Sequence, residues 1–351
     1  ELIGRNQRLE ADRLLTRAVS KVVERIDEFD PLDLPLPSAP DGKVVILANM
    51  DLAQCVHYRV EQKGFLLRKL GRSYRIYSEN DIDEFISAIP GAAAVIFHRI
   101  MAKPKNVRAI RFARAIGIPT YYDMDDLVFD QKEYPEPFET YGAINSAFYE
   151  LLQYSTALFR EAIALCDYGI ASTTVLAAHM EPLVQKREAF VLPNGLDQRN
   201  LAYLIDRPKR IRRDDSIVIF YGSGTKAHNT DFIEMAGPSI KYILNKYRHV
   251  RLVIAGYLAL DASFDAFGEQ IVCVGWLPNI NSYWSLLAEA DINIAVLAPG
   301  ATTDAKSEIK WLEAAALGIP SVVSGTARYR EVLEDGVDVI IANSPDEWTT
   351  S

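Results

Sequence analysis

The sequence predicts an α/β protein of two doubly wound parallel-sheet units in tandem, preceded by a helix. Three observations predict it. From Lys43 onward, short apolar segments alternate with helical patterns, as expected of parallel strands joined by right-handed crossovers. The alternation starts again after a sharp turn at Pro193-Asn194-Gly195. A length of 351 residues exceeds one ordinary domain and suits two, each able to bury a core.

The helix comes first. Leu15, Val19, Val22, Ile26 and Phe29 are spaced alternately by four and three, which is a heptad seam. Such a seam pairs with another chain or a neighbouring domain, or folds the helix back onto its own body; the spacing leaves both open. Pro31 to Pro40 then ends the helix, so residues 1–40 read as a coiled-coil-like helix and a Pro-rich spacer. Residues 41–200 read as the first α/β domain, with strands at 44–48, 74–77, 93–97, 120–123 and 168–171 and helical patterns at 61–70 and 107–116. The unbroken apolar run at 44–48 suits a strand covered on both faces. Residues 201–351 read as the second, with strands at 217–221, 251–255, 271–274, 292–296, 320–323 and 337–341. The sequence stops soon after Pro345-Asp346-Glu347-Trp348, a helix start with almost no helix after it, so further domains are expected beyond this fragment.

Composition narrows the function. With 49% hydrophobic and 24% charged residues the chain has a globular composition, and no run is long enough to span a bilayer. No signal pattern opens it, so a cytoplasmic location is expected, at most peripheral at the inner face of a membrane. A net charge of -9 argues against a nucleic-acid partner. The one basic run, Arg207 to Arg213, is followed at once by Asp214 and Asp215 and reads as a solvated linker. Cys55, Cys166 and Cys273 lie far apart and are odd in number, which fits free thiols rather than a zinc site or disulfide framework.

In open parallel sheets ligands sit beyond the carboxyl ends of strands, so the residues just after each strand are the ones to search. The most informative stretch runs from Asp304 to Pro320. A polar loop enters a helix with Ser307 near its start, and Gly318 ends it. Free N–H groups at that start would form an anion site, with Lys306 adding charge. Lys306, Lys310 and Glu313 project from one helix face. That face lines a ligand cleft if Trp311, Ala314 and Ala315 pack inward; otherwise it is a solvated Lys/Glu face. After the strand at 217–221, Gly222-Ser223-Gly224-Thr225-Lys226 supplies small residues that let backbone approach phosphate oxygens.

Three segments suggest other chemistry. Gly222-x-Gly224-x-x-Ala227 fits a relaxed dinucleotide fingerprint, but the strand at 252–255 lacks the acidic end that would hold a ribose, which disfavours a dehydrogenase. Asp123-Met124-Asp125 is a D-x-D tripeptide, read as a strand-end acidic cluster lining the cleft, with metal binding as the lesser alternative. Cys55-Val56-His57-Tyr58-Arg59 follows the first strand, with His57 in a loop, and His98-Arg99 has the better claim to the cleft.

Together these segments resemble GT-B glycosyltransferases, in particular family 4, whose nucleotide-sugar segment has a helix Glu before a small-residue run, Gly and Pro-Val-Val. Here those are Glu313, Gly318 and Pro320-Ser321-Val322-Val323. The resemblance implies two Rossmann-like domains facing a cleft, with Glu313 on the donor ribose hydroxyls. Ala305 stands where the family often has a second Glu, while the pattern from Lys306 to Glu313 is similar to Lys-Ser-x-x-Lys-x-x-Glu members. By the same resemblance Gly222, Ser223, Gly224 and Lys226 approach the donor phosphates, and His228 touches phosphate or sugar. Main-chain groups near Leu277, in Val274-Gly275-Trp276-Leu277-Pro278, pass the nucleobase; Ser172-Thr173 and Pro193-Asn194-Gly195 match a strand end and the interdomain turn.

The resemblance implies sugar transfer from a nucleotide-diphosphate donor to a glycan or lipid-linked acceptor in surface-polysaccharide assembly, with no metal or cofactor. Lys226, Lys310, Lys306 and the helix start at Ser307 would carry the leaving diphosphate's charge. Inversion would require a base, for which Asp125, Asp126 and His98 are candidates; retention, which family 4 implies, lets the departing phosphate take the proton. Rival readings are a catalytically silent scaffold module, with residues 1–30 as a self-association or partner helix, and an epimerase or phosphorylase of similar build.

Overall fold

The computed structural model describes residues 2–26, 42–141, 144–206, 215–224, 229–277 and 279–351, with side chains of the first helix from Arg13 onward. Phe29, the 31–40 spacer, the Arg207 to Arg213 run, Lys226, His228 and Pro278 lie outside the described residues. By contact the chain forms two compact units, one of Glu1–Pro135 with Asn145–Pro193 and one of Glu136–Ile144 with Asn194–Ser351.

The first unit holds strands β1 (Lys43–Ala48), β2 (Tyr74–Ser78), β3 (Ala92–His98), β4 (Thr120–Met124), β5 (Tyr168–Ala171) and β6 (Ala189–Val191). They form one six-stranded sheet in the order β2-β1-β3-β4-β5-β6, every neighbour parallel. Its labelled helices are α1 (Leu2–Glu24), α2 (Gln62–Lys69), α3 (Ile82–Ala88), α4 (Pro104–Ala115), α5 (Ser146–Leu165) and α6 (Thr174–Met180). Alternate residues of β1 serve opposite faces, which is why the strand is apolar throughout: Val44, Ile46 and Ala48 cluster with Val60 and Leu67, while on the other side Phe97 meets the edge of Phe85 from α3. The strand β6, Ala-Phe-Val, was not among the expected strands: it is apolar but only three residues long and largely exposed.

Helix α1 packs on α5, burying Val19, Val23 and Ile26, with Ser20 Oγ donating to Glu161 Oε1 at 2.5 Å. The seam differs from the heptad expectation at one position: Val22 is 64% exposed and Val23 takes its place. One helix lying on the body of its own unit follows a straight period near 3.6, not the 3.5 of a supercoiled pair.

The second unit holds β7 (Ile217–Ser223), β8 (Val250–Gly256), β9 (Ile271–Val274), β10 (Ile292–Ala295), β11 (Ser321–Val323) and β12 (Ile340–Ile341). The order is β12-β11-β10-β7-β8-β9, again parallel. Helices α7 (Gln198–Asp206), α8 (Gly237–Lys246), α9 (Ile280–Leu287), α10 (Ile309–Ala316), α11 (Ala327–Val332) and α12 (Pro345–Thr350) follow in turn. Ile219 and Tyr221 enter a core with Phe232, Ile240 and Leu244, whereas Phe220 between them enters another with Trp284, Leu287 and Ala314. The sheet is therefore covered on both faces, and each fully buried Leu or Phe contributes roughly 1.5–3 kcal/mol. The last expected strand, 337–341, shrinks to Ile340–Ile341, because Gly336 turns the chain with φ 76° just before it. Among the described residues no helix is long and apolar enough to cross a membrane.

Candidate active site

In the second sheet the chain winds outward from β7 through β8 to β9, then returns to β10 on the other side of β7. That reversal leaves a crevice at the carboxyl ends of β7 and β10, the position where such sheets take ligands. The end of β7 is tightly specified. Gly256, at φ 99°, closes β8 so near to Ser223 that a Cβ there would lie 1.9 Å from the Ser223 carbonyl oxygen. The same carbonyl accepts the Tyr257 N–H at 3.0 Å. A Cβ on Gly222 would meet the Tyr283 hydroxyl at 2.4 Å, so the absence of a side chain at Gly222 admits a tyrosine. Gly224 is exposed, with open space where a Cβ would stand.

The turn into α10 differs from expectation. Ser307 neither caps nor begins the helix; Glu308 is the N-cap, without a side-chain cap bond, and Ser307 Oγ accepts from Asn194 Nδ2 at 2.8 Å. The buried Glu308 carboxylate instead takes Arg328 Nε at 2.7 Å and Nη2 at 2.9 Å, and Arg328 Nη1 also meets Glu331 at 3.0 Å. A fork-to-fork ion pair thus stands at this helix start. Lys306 precedes it, half-buried, after the turn Ala301–Asp304.

Glu313 is buried, so the solvated-face reading of α10 fails. Its Oε1 accepts from Trp284 Nε1 at 3.1 Å, and its charge helps burial to raise the neighbouring Tyr283 hydroxyl well above the ordinary range. Lys310 Nζ lies 5.5 Å from the centre of the Tyr221 ring, a cation–π contact anchored on β7. Ala314 packs inward and Ala315 is exposed, contrary to the expected packing, while half-buried Trp311 donates to the Asp338 carbonyl at 3.1 Å. Lys310, Glu313 and Gly222 are thus joined through Tyr221, Tyr283 and Trp284. Leu277 follows the edge strand β9, half-buried, outside this constellation. Sequence reading missed Tyr283, Trp284, Glu308 and Arg328; Asn279 capping α9 through Ser282 N–H was the one local signal near the first two.

The first unit reverses between β1 and β3, where Ala48 pairs with His98. Behind that end lies a buried charge cluster. Asp123 takes Arg59 Nη2 at 2.8 Å, Lys63 Nζ at 2.9 Å and His98 Nδ1 at 2.8 Å. Burial pushes the Asp123 carboxyl up, but these partners outweigh it and hold it well below its ordinary range. Asp123 is therefore an internal counter-ion, not a cleft-lining acid. His57, expected in a loop, sits in the helical turn Val56–Glu61 that aims Arg59 and leads into α2, and it is buried. Burial lowers Lys63 to about 8 despite Asp123.

The three candidate bases sit differently. Arg99, held at φ 50°, donates to Asp125 at 2.6 Å and Asp126 at 3.2 Å. Burial raises the Asp125 carboxyl, and Arg99 together with His98 and Arg59 outweighs that, leaving it below its ordinary value and a weak base. His98 is fully buried and its pKa is lowered by burial; with Nδ1 on Asp123, the neutral ring leaves Nε2 as a lone-pair acceptor without a partner among the described residues. Among the described residues no three His, Cys, Asp or Glu side chains are grouped to hold a metal ion.

Residues 215–351 match the family described as Glycosyl transferases group 1. This segment is a glycosyl transferase domain. No curated protein matches the chain in sequence. Among solved structures, Anabaena HepE in complex with UDP is similar at a TM-score of 0.51 and 12% identity, over 88% of each chain. HepE in complex with UDP and glucose gives 0.52 and 11%, over 88% of this chain and 89% of that one. A UDP-forming trehalose-phosphate synthase from Burkholderia xenovorans gives 0.49 and 11%, over 87% and 88%. At such identities the likeness to HepE is one of fold, and that fold is GT-B.

The transferase domain begins at β7 and contains Gly222, Ser223, Gly224, Lys310, Glu313, Trp284 and the Glu308–Arg328 pair. The group 1 match thus covers the crevice of the second sheet, whereas the His98–Asp123 cluster lies in the part of the chain before it. Chemically, the transferase domain offers a fixed carboxylate and a cation at its switch point, a combination suited to hydroxyls and an oxyanion.

Proposed function

We propose that the chain moves a sugar from a nucleoside-diphosphate donor to a glycan or lipid-linked acceptor, without a metal and with retention, in surface-polysaccharide assembly. The observation that carries this reading is the pairing on one short helix of buried Glu313, its Oε1 held by Trp284, with Lys310 against the Tyr221 ring, in a domain of the group 1 family. Glu313 would accept the donor ribose hydroxyls, and Lys310, with Lys306 and Lys226, would face the diphosphate. The bond from the anomeric carbon to the diphosphate oxygen breaks and one to the acceptor oxygen forms. The acceptor proton passes to the departing phosphate. Positive side chains favour that step by binding the charge that grows on the leaving group. HepE was solved with UDP, and with UDP and glucose, which supports a uridine donor here. A cytoplasmic site of action, peripheral to the membrane, belongs to the same proposal.

A second reading has one observation in its favour: position 305 is a wholly buried alanine and brings no carboxylate of its own, as in a domain that binds without turning over. Calorimetric titration with UDP, GDP, TDP, ADP and CMP, with and without EDTA, on the parent chain and on Glu313→Ala and Lys310→Ala, tests both. Selective binding of one nucleotide, indifferent to EDTA and lost in both variants, is the expected result. Binding without sugar transfer to any acceptor would favour the scaffold; no nucleotide bound would overturn the transferase reading.

A further inference from the structure

The first unit contains a cavity of about 320 Å³ where α1 crosses the loop after β4 and the middle of α5. Its walls carry Arg13 and Arg17, one turn apart on α1, Arg160 on α5 and Lys132 on the loop. Among the described residues the only carboxylate in the lining is Asp130. Both of its oxygens are engaged, Oδ1 by the Lys132 N–H at 3.0 Å and Oδ2 by His179 Nδ1 at 3.0 Å. Beside the cavity, Glu161 Oε1 accepts the Ser20 hydroxyl. The lining is braced: Thr16 Oγ1 donates to Gln131 Oε1, and the next turns of α1 are pinned by buried Val19 and Val23.

Four positive side chains gathered around one cavity favour an anion there. Guanidinium forks match phosphate oxygens two at a time, and the volume lies at the lower end of small-ligand pockets. We propose that this cavity binds a phosphoryl or diphosphoryl group through Arg13, Arg17, Arg160 and Lys132, whether carried by a soluble molecule or a lipid headgroup. The cavity is a site of its own, in the first unit, and does not depend on the nucleotide reading of the second. Docking of α1 creates it, so the helix has a reason to be held in place by Ser20 and Thr16.

The test uses the full chain, pyrophosphate as the soluble probe, and phosphatidylcholine vesicles with or without phosphatidic acid. Calorimetry and vesicle flotation are run at low and high salt on the parent, Arg17→Gln, Arg160→Gln, the double variant, and Arg75→Gln as an exposed control. Binding is expected to fall about tenfold for each guanidinium removed, to weaken with salt, and to be unchanged in the control. Binding of pyrophosphate marks a soluble source; binding of phosphatidic acid vesicles alone marks a headgroup. If Arg160→Gln lowers the melting temperature, Arg13→Gln with Arg17→Gln carries the test, since both side chains are exposed on α1. Neither probe bound, or binding equal to parent in the double variant, overturns the proposal.

Discussion

Trp284 Nε1 donates to Glu313 Oε1 across 3.1 Å with both side chains buried, tying the helix after β9 to the helix after β10. Removing the donor takes one hydrogen bond from a buried carboxylate, a cost of about 1–3 kcal/mol. Trp284→Phe is therefore expected to lower the denaturation midpoint and to weaken nucleotide binding about tenfold, read by denaturant titration and calorimetry. Unchanged nucleotide affinity in a folded Trp284→Phe would show that the contact does not orient Glu313 for ligand.

The Asp123 cluster predicts an asymmetry between removing an acid and removing a pair. Asp123→Leu strands Arg59 and Lys63 in the interior and should cost about 3–5 kcal/mol. Asp123→Leu with Lys63→Met, which removes both a charge and its orphaned partner, should recover part of that loss. Equal stabilities of the single and double variants in urea would contradict the arrangement.

Two windows of pH dependence follow from the same residues. Burial holds His98 below its ordinary 6.5, so as pH falls through 6.5 the unfolded chain binds the proton first, and stability present above that value is lost toward the folded pKa. Lys63 is lowered from 10.5 to about 8, so between about 8 and 10.5 the unfolded chain holds the extra proton and this group's contribution to stability rises with pH. His98→Gln should flatten the acid slope and Lys63→Met the alkaline one, each measured as the difference from parent in denaturation midpoint across the window. A slope unchanged by either substitution would remove that group from the account.

Gly256 and Gly318 should respond differently to alanine. Both have positive φ, 99° and 76°, but only at Gly256 would the new methyl meet backbone, 1.9 Å from Ser223 O, while Gly318 has open space. Gly318→Ala is expected to cost about 1–2 kcal/mol for the left-handed backbone alone. Gly256→Ala should cost more and should also disturb ligand binding at the end of β7. Comparable midpoints for the two variants would argue against the close approach.

Strand patterns were legible because parallel strands buried on both faces write continuous apolar runs, and 44–48 and 217–221 did so. The edge strand Ala189–Val191 is apolar too, but three residues are too few to separate a strand from a loop. In the site, Lys310 and Glu313 could be found from helix spacing, since a period of 3.6 fixes their shared face. What they touch could not: Trp284 lies 29 positions from Glu313 and Arg328 lies 20 from Glu308 in sequence. Val22 and Val23 show the finer limit, because a heptad and a straight helix differ by one residue within a few turns.

The chain passes between its units after Pro135, Ile144 and Pro193, so the 136–144 segment is made long before most of the unit it joins. Thr140, whose carbonyl accepts the Thr230 hydroxyl at 3.3 Å, leaves the ribosome ahead of α5, β5 and β6, which complete the other unit. During synthesis this short piece must wait, exposed, while its neighbours on both sides fold around a different core. Domains otherwise form in order of emergence. Here the last unit borrows from the middle of the first, and a nascent chain halted before residue 230 would carry an unclaimed strap.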